Sequence, residues 1–407
     1  MNKKLTPDEM IDLALAARKA RKFEEAKTYF EQAAEAGHID GMAGLGQLYQ
    51  CGDGVEQSEE KALFWYKKAV DSGCEDGWWM MGITYEGTEN YPKAIECYEK
   101  AIEYDSQAKG YAMEALAGLY FNGQGVQQDY VKAVELYTQA ADNYSVEAMH
   151  DLGEIYRFGK GTEKNIDKAI YWHSNAAAND DVDSMLALAN IYFRGEGVEI
   201  DYEKAKYWSL EGAKLGNDVS MLNLADCYCE GEGGDQDYVA AMAWYKKAAD
   251  IGNMSAMYRV GRMYLLGEGE EENPKLAIEW FEKALDAGYK YALISLGESY
   301  YVLEEYDKAL RLFREAVLEQ ETQKDGEFWM GRIYLEGNGV EKDINQAMEW
   351  FSKSAEHGDT ESMLNIGDLY AKGEEIEKNM AKAKGWYQKA LKAGDEDAQD
   401  RLDSLIG

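Results

Sequence analysis

The chain has very little proline, with three residues in 407, although it has 40 glycines. No stretch rich in proline, serine and glycine interrupts it, so the sequence contains no candidate flexible linker. A chain of this length usually divides into two or three domains. The missing linker instead favours one continuous domain over residues 1–407, which the periodicity described below explains.

Cysteine and histidine are also scarce, and this limits the chemistry that the chain can perform. The five cysteines are odd in number and share no periodic position, so we expect reduced thiols rather than a disulfide framework. The four histidines are scattered, without the close spacing that metal ligands need. No convergent nucleophile, base or metal set is visible. The sequence therefore predicts no enzyme activity, no cofactor and no metal.

Basic residues are outnumbered, because 43 lysines and arginines face 77 aspartates and glutamates, for a net charge of −34. Such a surface repels nucleic acid and favours basic partners, although it serves equally well to keep a long protein soluble. No run approaches the roughly 20 apolar residues of a membrane span, and the N-terminus lacks the apolar core of a signal peptide. We expect a cytoplasmic protein that is not inserted in a membrane, or a secreted or periplasmic one if a leader has been removed.

What the sequence has in abundance is a period of 36 residues. Tyrosines and alanines recur at this spacing, at Tyr156, Tyr192, Tyr228 and Tyr264, and at Ala133, Ala169, Ala205 and Ala241. Within residues 182–217, apolar residues lie three and four positions apart in two segments, separated by a loop containing Gly195 and Gly197. The unit is therefore a helical hairpin, and its repetition predicts a stacked array.

Residues at the expected helix ends support the hairpin. Thr6 and Glu9 form a capping box around Pro7 at the start of the first helix. Residue types that cap helices precede the second helix of the other units, at Ser58, Asp129, Asn165, Asp201, Asp237, Asn273, Asp343 and Asn379. The second helices also carry a recurrent tryptophan, which we expect to fill the stack, at Trp65, Trp172, Trp208, Trp244, Trp280, Trp350 and Trp386.

Two stretches carry a family resemblance: AMHDLGEIYRFGKG at 148–161 and KALFWYKKAVDSG at 61–73. Their pattern resembles the Sel1-like repeat family, and the resemblance extends over nearly the whole chain. It implies an α-solenoid related to tetratricopeptide arrays that acts as a protein-binding scaffold, and it implies no reaction.

The predicted fold is all-α, a right-handed α-solenoid of about eleven helix-turn-helix repeats. A tetratricopeptide-like hairpin occupies 7–37, Sel1-like repeats occupy 38–394, and a capping helix occupies 395–407. Two units, 75–106 and 290–319, lack the Gly-x-Gly loop and are shorter than the others. We expect these short units to change the local curvature of the array.

The resemblance to tetratricopeptide arrays implies a concave groove lined by the first helix of each hairpin. The residues that this geometry selects are Trp79, Ile83, Phe121, Arg157, Phe193, Tyr258, Arg259, Arg262, Tyr301, Phe328, Trp329 and Arg332. Aromatic residues and arginines are enriched in binding hot spots, and the arginines suit an acidic peptide or a terminal carboxylate. Alternatively, the arginines pair with the chain's own carboxylates and the aromatics pack between repeats.

The predicted function is a non-enzymatic adaptor that binds a peptide or protein segment in this groove. The alternative is an exported or envelope-associated protein of the same fold that interacts with a host. No residue pattern specifies the partner or an oligomeric state.

Overall fold

The computed structural model describes residues 5–106 and 108–405, and within them it contains 23 helices and no strand. The chain divides into two compact units, one ending at Asp201 and the other beginning at Tyr202. The all-α prediction is confirmed. The single domain over 1–407 and the right-handed turn of the array stay predictions, and the last two residues of the predicted capping helix lie outside the described range.

The first unit is a helical-repeat solenoid of five hairpins followed by a single helix. Within each hairpin the two helices pack together, and the second helix packs on the first helix of the next hairpin. Its helices are α1 Pro7–Lys19, α2 Phe23–Glu35, α3 Ile39–Cys51, α4 Glu59–Asp71, α5 Gly77–Gly87, α6 Tyr91–Ile102, α7 Lys109–Asn122, α8 Tyr130–Asp142, α9 Val146–Phe158, α10 Ile166–Ala177 and α11 Val182–Arg194.

The second unit begins with a single helix and continues with five hairpins and a closing helix, packed in the same way. Its helices are α12 Tyr202–Lys214, α13 Asp218–Glu230, α14 Tyr238–Asp250, α15 Met254–Leu266, α16 Pro274–Asp286, α17 Ala292–Val302, α18 Tyr306–Ala316, α19 Gln323–Glu336, α20 Ile344–Glu356, α21 Thr360–Lys372, α22 Met380–Lys392 and α23 Asp397–Ser404.

Side-chain caps fix where these helices begin. The Thr6 hydroxyl accepts a hydrogen bond from the backbone N–H of Glu9, whose carboxylate accepts one in return from the N–H of Thr6, as the capping box predicts. The predicted caps of α4 and α8, Ser58 and Asp129, accept in the same way from Lys61 and Lys132. The first helices use caps that the sequence reasoning did not single out, at Ser145, Asp181, Asn217, Asn253 and Asp359.

The three short hairpins share a tight turn that does not use glycine. Arg21, Glu89 and Glu304 each take a positive φ, of 56°, 58° and 60° respectively. A residue with a Cβ is disfavoured there, at a cost of roughly 1–2 kcal/mol, so the surrounding helices hold these turns in place. The longer hairpins need no such residue because glycines occupy the left-handed positions of their loops.

In six of the hairpins the core contains an aromatic ring that lies against a glycine of the facing helix. Tyr98, fully buried in α6, lies where a side chain on Gly82 of α5 would stand, and Phe281 of α16 does the same at Gly261 of α15. The same pairing recurs at Tyr66, Phe313, Phe351 and Tyr387. The glycine thus permits the close approach of two helices around a large ring.

Six of the seven recurrent tryptophans of the second helices pack against the core clusters, in agreement with the expectation that they fill the stack, although they are not fully buried. Five of them directly precede the core ring and are only partly buried. In these five helices a lysine three residues later lies over the tryptophan ring, as with Lys247 over Trp244 at 3.7 Å and Lys389 over Trp386 at 3.8 Å. Among the described residues, no helix combines the length and the apolar composition that crossing a membrane requires.

Candidate protein-binding faces

The first unit has a cleft between its α5 and α7 helices, with a volume of about 320 Å³. Trp79 and Ile83, two of the predicted contact residues, line it. Tyr111, which the sequence reasoning missed, faces Trp79 with the two ring centroids 5.6 Å apart. Glu86 and Glu114 supply the charge, and none of the lining residues is basic.

The two glutamates of this cleft differ in their surroundings. Glu86 accepts a hydrogen bond of 2.6 Å from the Tyr98 hydroxyl. Glu114 has no hydrogen bond or ion pair within the described residues, and burial, helped by the negative charges of Asp151, Glu147 and Glu86, raises its pKa to about 7. An unpartnered carboxylate therefore lies beside two aromatic rings.

Replacing Glu114 with glutamine is expected to stabilise the first unit at pH 8 by about 2 kcal/mol and to have little effect at pH 4. The folded state holds this proton more tightly than the unfolded chain does, because the pKa rises from 4.5 to about 7 on folding. Between pH 4.5 and pH 7 the unfolded chain loses this proton while the folded chain keeps it, so the free energy of unfolding falls over that range. Hydrogen exchange of α7 at both pH values measures the difference, and an equal effect at pH 4 and pH 8 would contradict the assignment.

Two of the other predicted residues of the first unit, Arg157 and Phe121, contact the chain's own side chains. The Arg157 guanidinium donates two hydrogen bonds of 2.9 Å to the Glu196 carboxylate and a third, of 3.3 Å, to Glu154. Its side chain is only 11% exposed, so the pairing of arginines with the chain's own carboxylates holds here. Phe121 packs edge-on against Tyr130 at 5.1 Å, whereas Phe193 is 40% exposed at the surface.

Two of the histidines that look scattered in the sequence meet next to Arg157. The rings of His150 and His173 lie 5.4 Å apart, and each Nδ1 lies about 3 Å from the Ser184 hydroxyl, at 3.1 and 3.0 Å. Burial lowers the pKa of His173, while the hydrogen bond with Asp181 raises that of His150. Ser184 is fully buried, so this polar cluster lies inside the core.

The second unit has two adjoining clefts on its first helices. The larger one, of about 420 Å³, is lined by Tyr258, Arg262, Tyr291, Glu298 and other residues of α15, α17 and α19. The smaller one, of about 240 Å³, is lined by Arg259 and again by Arg262, with Tyr238 and Tyr245. Because Arg262 and Leu266 line both clefts, they form the ridge between them. We call these two clefts and their ridge the Arg262 face.

The three predicted arginines of the second unit differ in the ion-pair partners that the chain provides for their guanidinium groups. Arg332 donates to the Glu336 carboxylate at 2.8 Å, and its guanidinium lies 4.9 Å from the ring of Trp329. Arg259 lies 3.7 Å from the carboxylate of Asp226. Arg262 is exposed and forms no ion pair within the part of the chain that the structure describes.

The aromatic residues around these arginines rest on the core. The ring of Tyr258 lies 5.5 Å from that of Phe281, and its hydroxyl lies 3.0 Å from that of Ser295. Trp329 stacks on Phe313 at 4.9 Å and donates a hydrogen bond of 3.1 Å to Glu298.

Two further predicted contacts of the second unit complete this region. The Tyr301 ring lies 5.3 Å from that of Trp329, and its hydroxyl donates to Glu336. Phe328 is only 8% exposed and belongs to the core, so its selection as a surface contact is corrected by the structure.

Family models account for most of this architecture. The Sel1 repeat model matches residues 20–38, 39–74, 110–145, 146–181, 182–217, 218–253, 255–289, 324–359 and 360–395, and a tetratricopeptide repeat model matches 75–108. The chain belongs to the Sel1 repeat family. The tetratricopeptide match falls on the predicted short unit at 75–106, while the other short unit, 290–319, is matched by neither model.

Solved Sel1 repeat structures resemble the chain over most of its length. One is c5321, a protective antigen present in uropathogenic Escherichia coli strains, with 28% identity, a TM-score of 0.73, and coverage of 98% of this chain and 88% of that one. Another is a Sel1 repeat protein from Oxalobacter formigenes, with 25% identity, a TM-score of 0.52, and coverage of 84% and 90%. Comparison with curated proteins gives no significant match.

In this Sel1 repeat protein the predicted contact residues fall into separate groups. Trp79 and Ile83 share the cleft of the first unit, whereas Tyr258, Arg259 and Arg262 share the Arg262 face. Among the described residues, no group of three or more histidine, cysteine, aspartate or glutamate side chains is arranged to hold a metal ion.

Proposed function

We propose that this Sel1 repeat protein is a non-enzymatic scaffold that binds a segment of a partner protein, and that the Arg262 face is its contact site. Repeat proteins of this kind commonly present one face of their stacked helices to partners. The observation that carries the proposal is Arg262 itself, an exposed guanidinium that has no ion pair among the described residues and lies at the boundary of two clefts lined by tyrosines.

The chemistry of this face favours an acidic group flanked by apolar side chains. A guanidinium with free donors binds a carboxylate through two parallel hydrogen bonds, which fixes the orientation as well as the position of the ligand. Tyr291 and Leu266, which are 47% and 54% exposed, offer apolar area on either side of Arg262. An aspartate, a glutamate or a terminal carboxylate of a partner segment fits this arrangement.

Affinity capture with the full chain from a lysate of its source tests the proposal. The variant Arg262→Glu, Leu266→Ser, Tyr291→Ala changes exposed residues of the face without altering the core. A matched control, Arg314→Glu with Leu318→Ser, makes the same kinds of change on and just after the second helix α18, where both residues are exposed.

We expect at least one discrete protein to be captured by the parent and by the control, and its yield to fall at least about tenfold with the face variant, the loss typical of a binding hot spot. Equal capture by all three proteins would overturn the assignment of the face. In this proposal the partner and the complex are cytoplasmic.

A second candidate function rests on the likeness to c5321, which is described as a protective antigen. A protein of the same fold that is exported or associated with the envelope would present its acidic surface to a host. Fractionation of the source cells separates the two candidates, because the scaffold proposal expects the native protein only in the cytosol. Its recovery from the envelope or the medium would favour the exported protein instead.

A further inference from the structure

We propose that the cleft between α5 and α7 binds a cationic side chain, a lysine or arginine of a basic segment in a partner protein. No basic residue lines this site, whereas Arg259 and Arg262 line the Arg262 face, and the two sites lie in different units. It adds a second contact to the proposed scaffold and does not depend on Arg262.

The walls of the cleft match what recognises a cation. Trp79 and Tyr111 pack together, with 5.6 Å between ring centroids and an angle of 33° between planes, and line the cleft as an aromatic pair. Aromatic faces attract ammonium and guanidinium groups, and tryptophan does so most strongly. Glu86 and Glu114 line the same space and would accept hydrogen bonds from the charged end of the ligand.

No basic residue lines this cleft. The ionisable groups that act on Glu114 are Glu86 from α5 and Glu147 and Asp151 from α9, all of them acids. The Tyr98 and Tyr137 hydroxyls are committed to Glu86 and Asp151. An incoming cation would therefore meet several carboxylates and no competing basic group, which is charge complementarity in a chain with a net charge of −34.

In the next hairpin a basic residue of the chain itself pairs with the neighbouring carboxylates. Arg157, 36 positions after Phe121, holds Glu154 and Glu196 through direct hydrogen bonds. No residue that lines the cleft of α5 and α7 is basic, and Phe121, at the repeat position of Arg157, packs against Tyr130 and is not among the lining residues. Glu114 is left without a partner in the described structure, and the cleft beside it is open.

The test uses the full chain and two short probe peptides, acetyl-Gly-Arg-Gly-amide and its counterpart with citrulline in place of arginine. Citrulline keeps the shape of arginine and removes the charge, so the pair isolates the charge. Binding is measured by NMR titration of each peptide with the parent protein, with Glu114→Gln, and with Trp79→Leu. The titrations are made at pH 8, where Glu114 is ionised, so that the control Glu135→Gln removes an equal charge from an exposed site on α8, which packs against α7.

The parent is expected to bind the arginine peptide at least fivefold more tightly than the citrulline peptide. Glu114→Gln and Trp79→Leu are each expected to weaken the arginine peptide at least fivefold, and Glu135→Gln to leave it unchanged. Glu114→Gln is nearly isosteric, so its result stands even if Trp79→Leu disturbs folding.

Equal binding of the two peptides, equal binding by Glu114→Gln and the parent, or the same loss with Glu135→Gln as with Glu114→Gln would overturn the inference. The last result would mean that only the overall charge attracts the peptide. The face variant of the second unit is expected to bind the arginine peptide normally. Failure of the Arg262 proposal and failure of this one are therefore distinguishable.

Discussion

Replacing Phe281 with alanine is expected to lower the free energy of unfolding around α15 and α16 by about 3–5 kcal/mol. The ring is fully buried and lies against Gly261, which has no side chain to fill the space that it leaves. Because stability in repeat arrays is local, hydrogen exchange of the amides in α15 and α16 is the measurement. A loss below about 1 kcal/mol would contradict the packing described here.

The same substitution links the core to the proposed contact site. Tyr258 lies 5.5 Å from the Phe281 ring and lines the larger cleft of the Arg262 face. We therefore expect Phe281→Ala to weaken partner capture as well, without removing any exposed group. Tyr207→Ala is the matched control, since this ring is 52% exposed on α12 and its removal should leave the stability of α15 and α16 unchanged.

Replacing Gly82 with valine is expected to destabilise the hairpin of α5 and α6 by about 3 kcal/mol. A Cβ at this position would stand 2.4 Å from Cε1 of Tyr98, well inside van der Waals contact. The ring has little room to withdraw, since it is fully buried and its hydroxyl is hydrogen-bonded to Glu86. Denaturant unfolding followed by hydrogen exchange of α5 and α6 measures the loss.

A double-mutant cycle with Tyr98→Leu gives this prediction its control. If the valine acts by colliding with the ring, the two changes are not additive, and the coupling energy exceeds about 1 kcal/mol. Gly87→Ala should be harmless, because no atom lies within 4 Å of the added Cβ. A strict sum of the Gly82 and Tyr98 effects would show that the glycine has some other role.

The helix boundaries were predictable because capping is local. Ser58 and Asp129 bond to backbone groups three residues away, so the sequence contains all the information. The short hairpins were also predictable, since the missing glycine loop changes the spacing within a single repeat. Arg21, Glu89 and Glu304 lie in these three turns.

The contents of the core were harder to predict at the level of single residues. Tryptophan and tyrosine stand side by side in the second helices, and one position along a helix turns a side chain by about 100°. The sequence pattern drew attention to the tryptophans. The fully buried ring is the residue that follows, because it lies against a glycine of the facing helix, as with Tyr66 against Gly46. That choice depends on the approach of two helices, which periodicity alone does not specify.

The binding residues were only partly predictable for a similar reason. Arg157 looked like a ligand contact, but its partner Glu196 is 39 residues away and becomes a neighbour only on folding. Tyr111 was missed because its role depends on facing Trp79 from the next hairpin. Arg262 keeps the predicted exposure, and the clefts beside it form where α15 comes together with residues of α13 and α14 on one side and of α17 and α19 on the other.

Site-specific photo-crosslinking on the full chain tests the proposed contact site most directly. A photoreactive amino acid replaces Tyr291 within the Arg262 face in one protein, and Leu318, which is 84% exposed and follows α18, in another. After irradiation in the source lysate, we predict a discrete adduct from position 291 that disappears with Arg262→Glu, and none from position 318. Adducts of equal yield from both positions, or an adduct at 291 that survives Arg262→Glu, would contradict a binding site on this face.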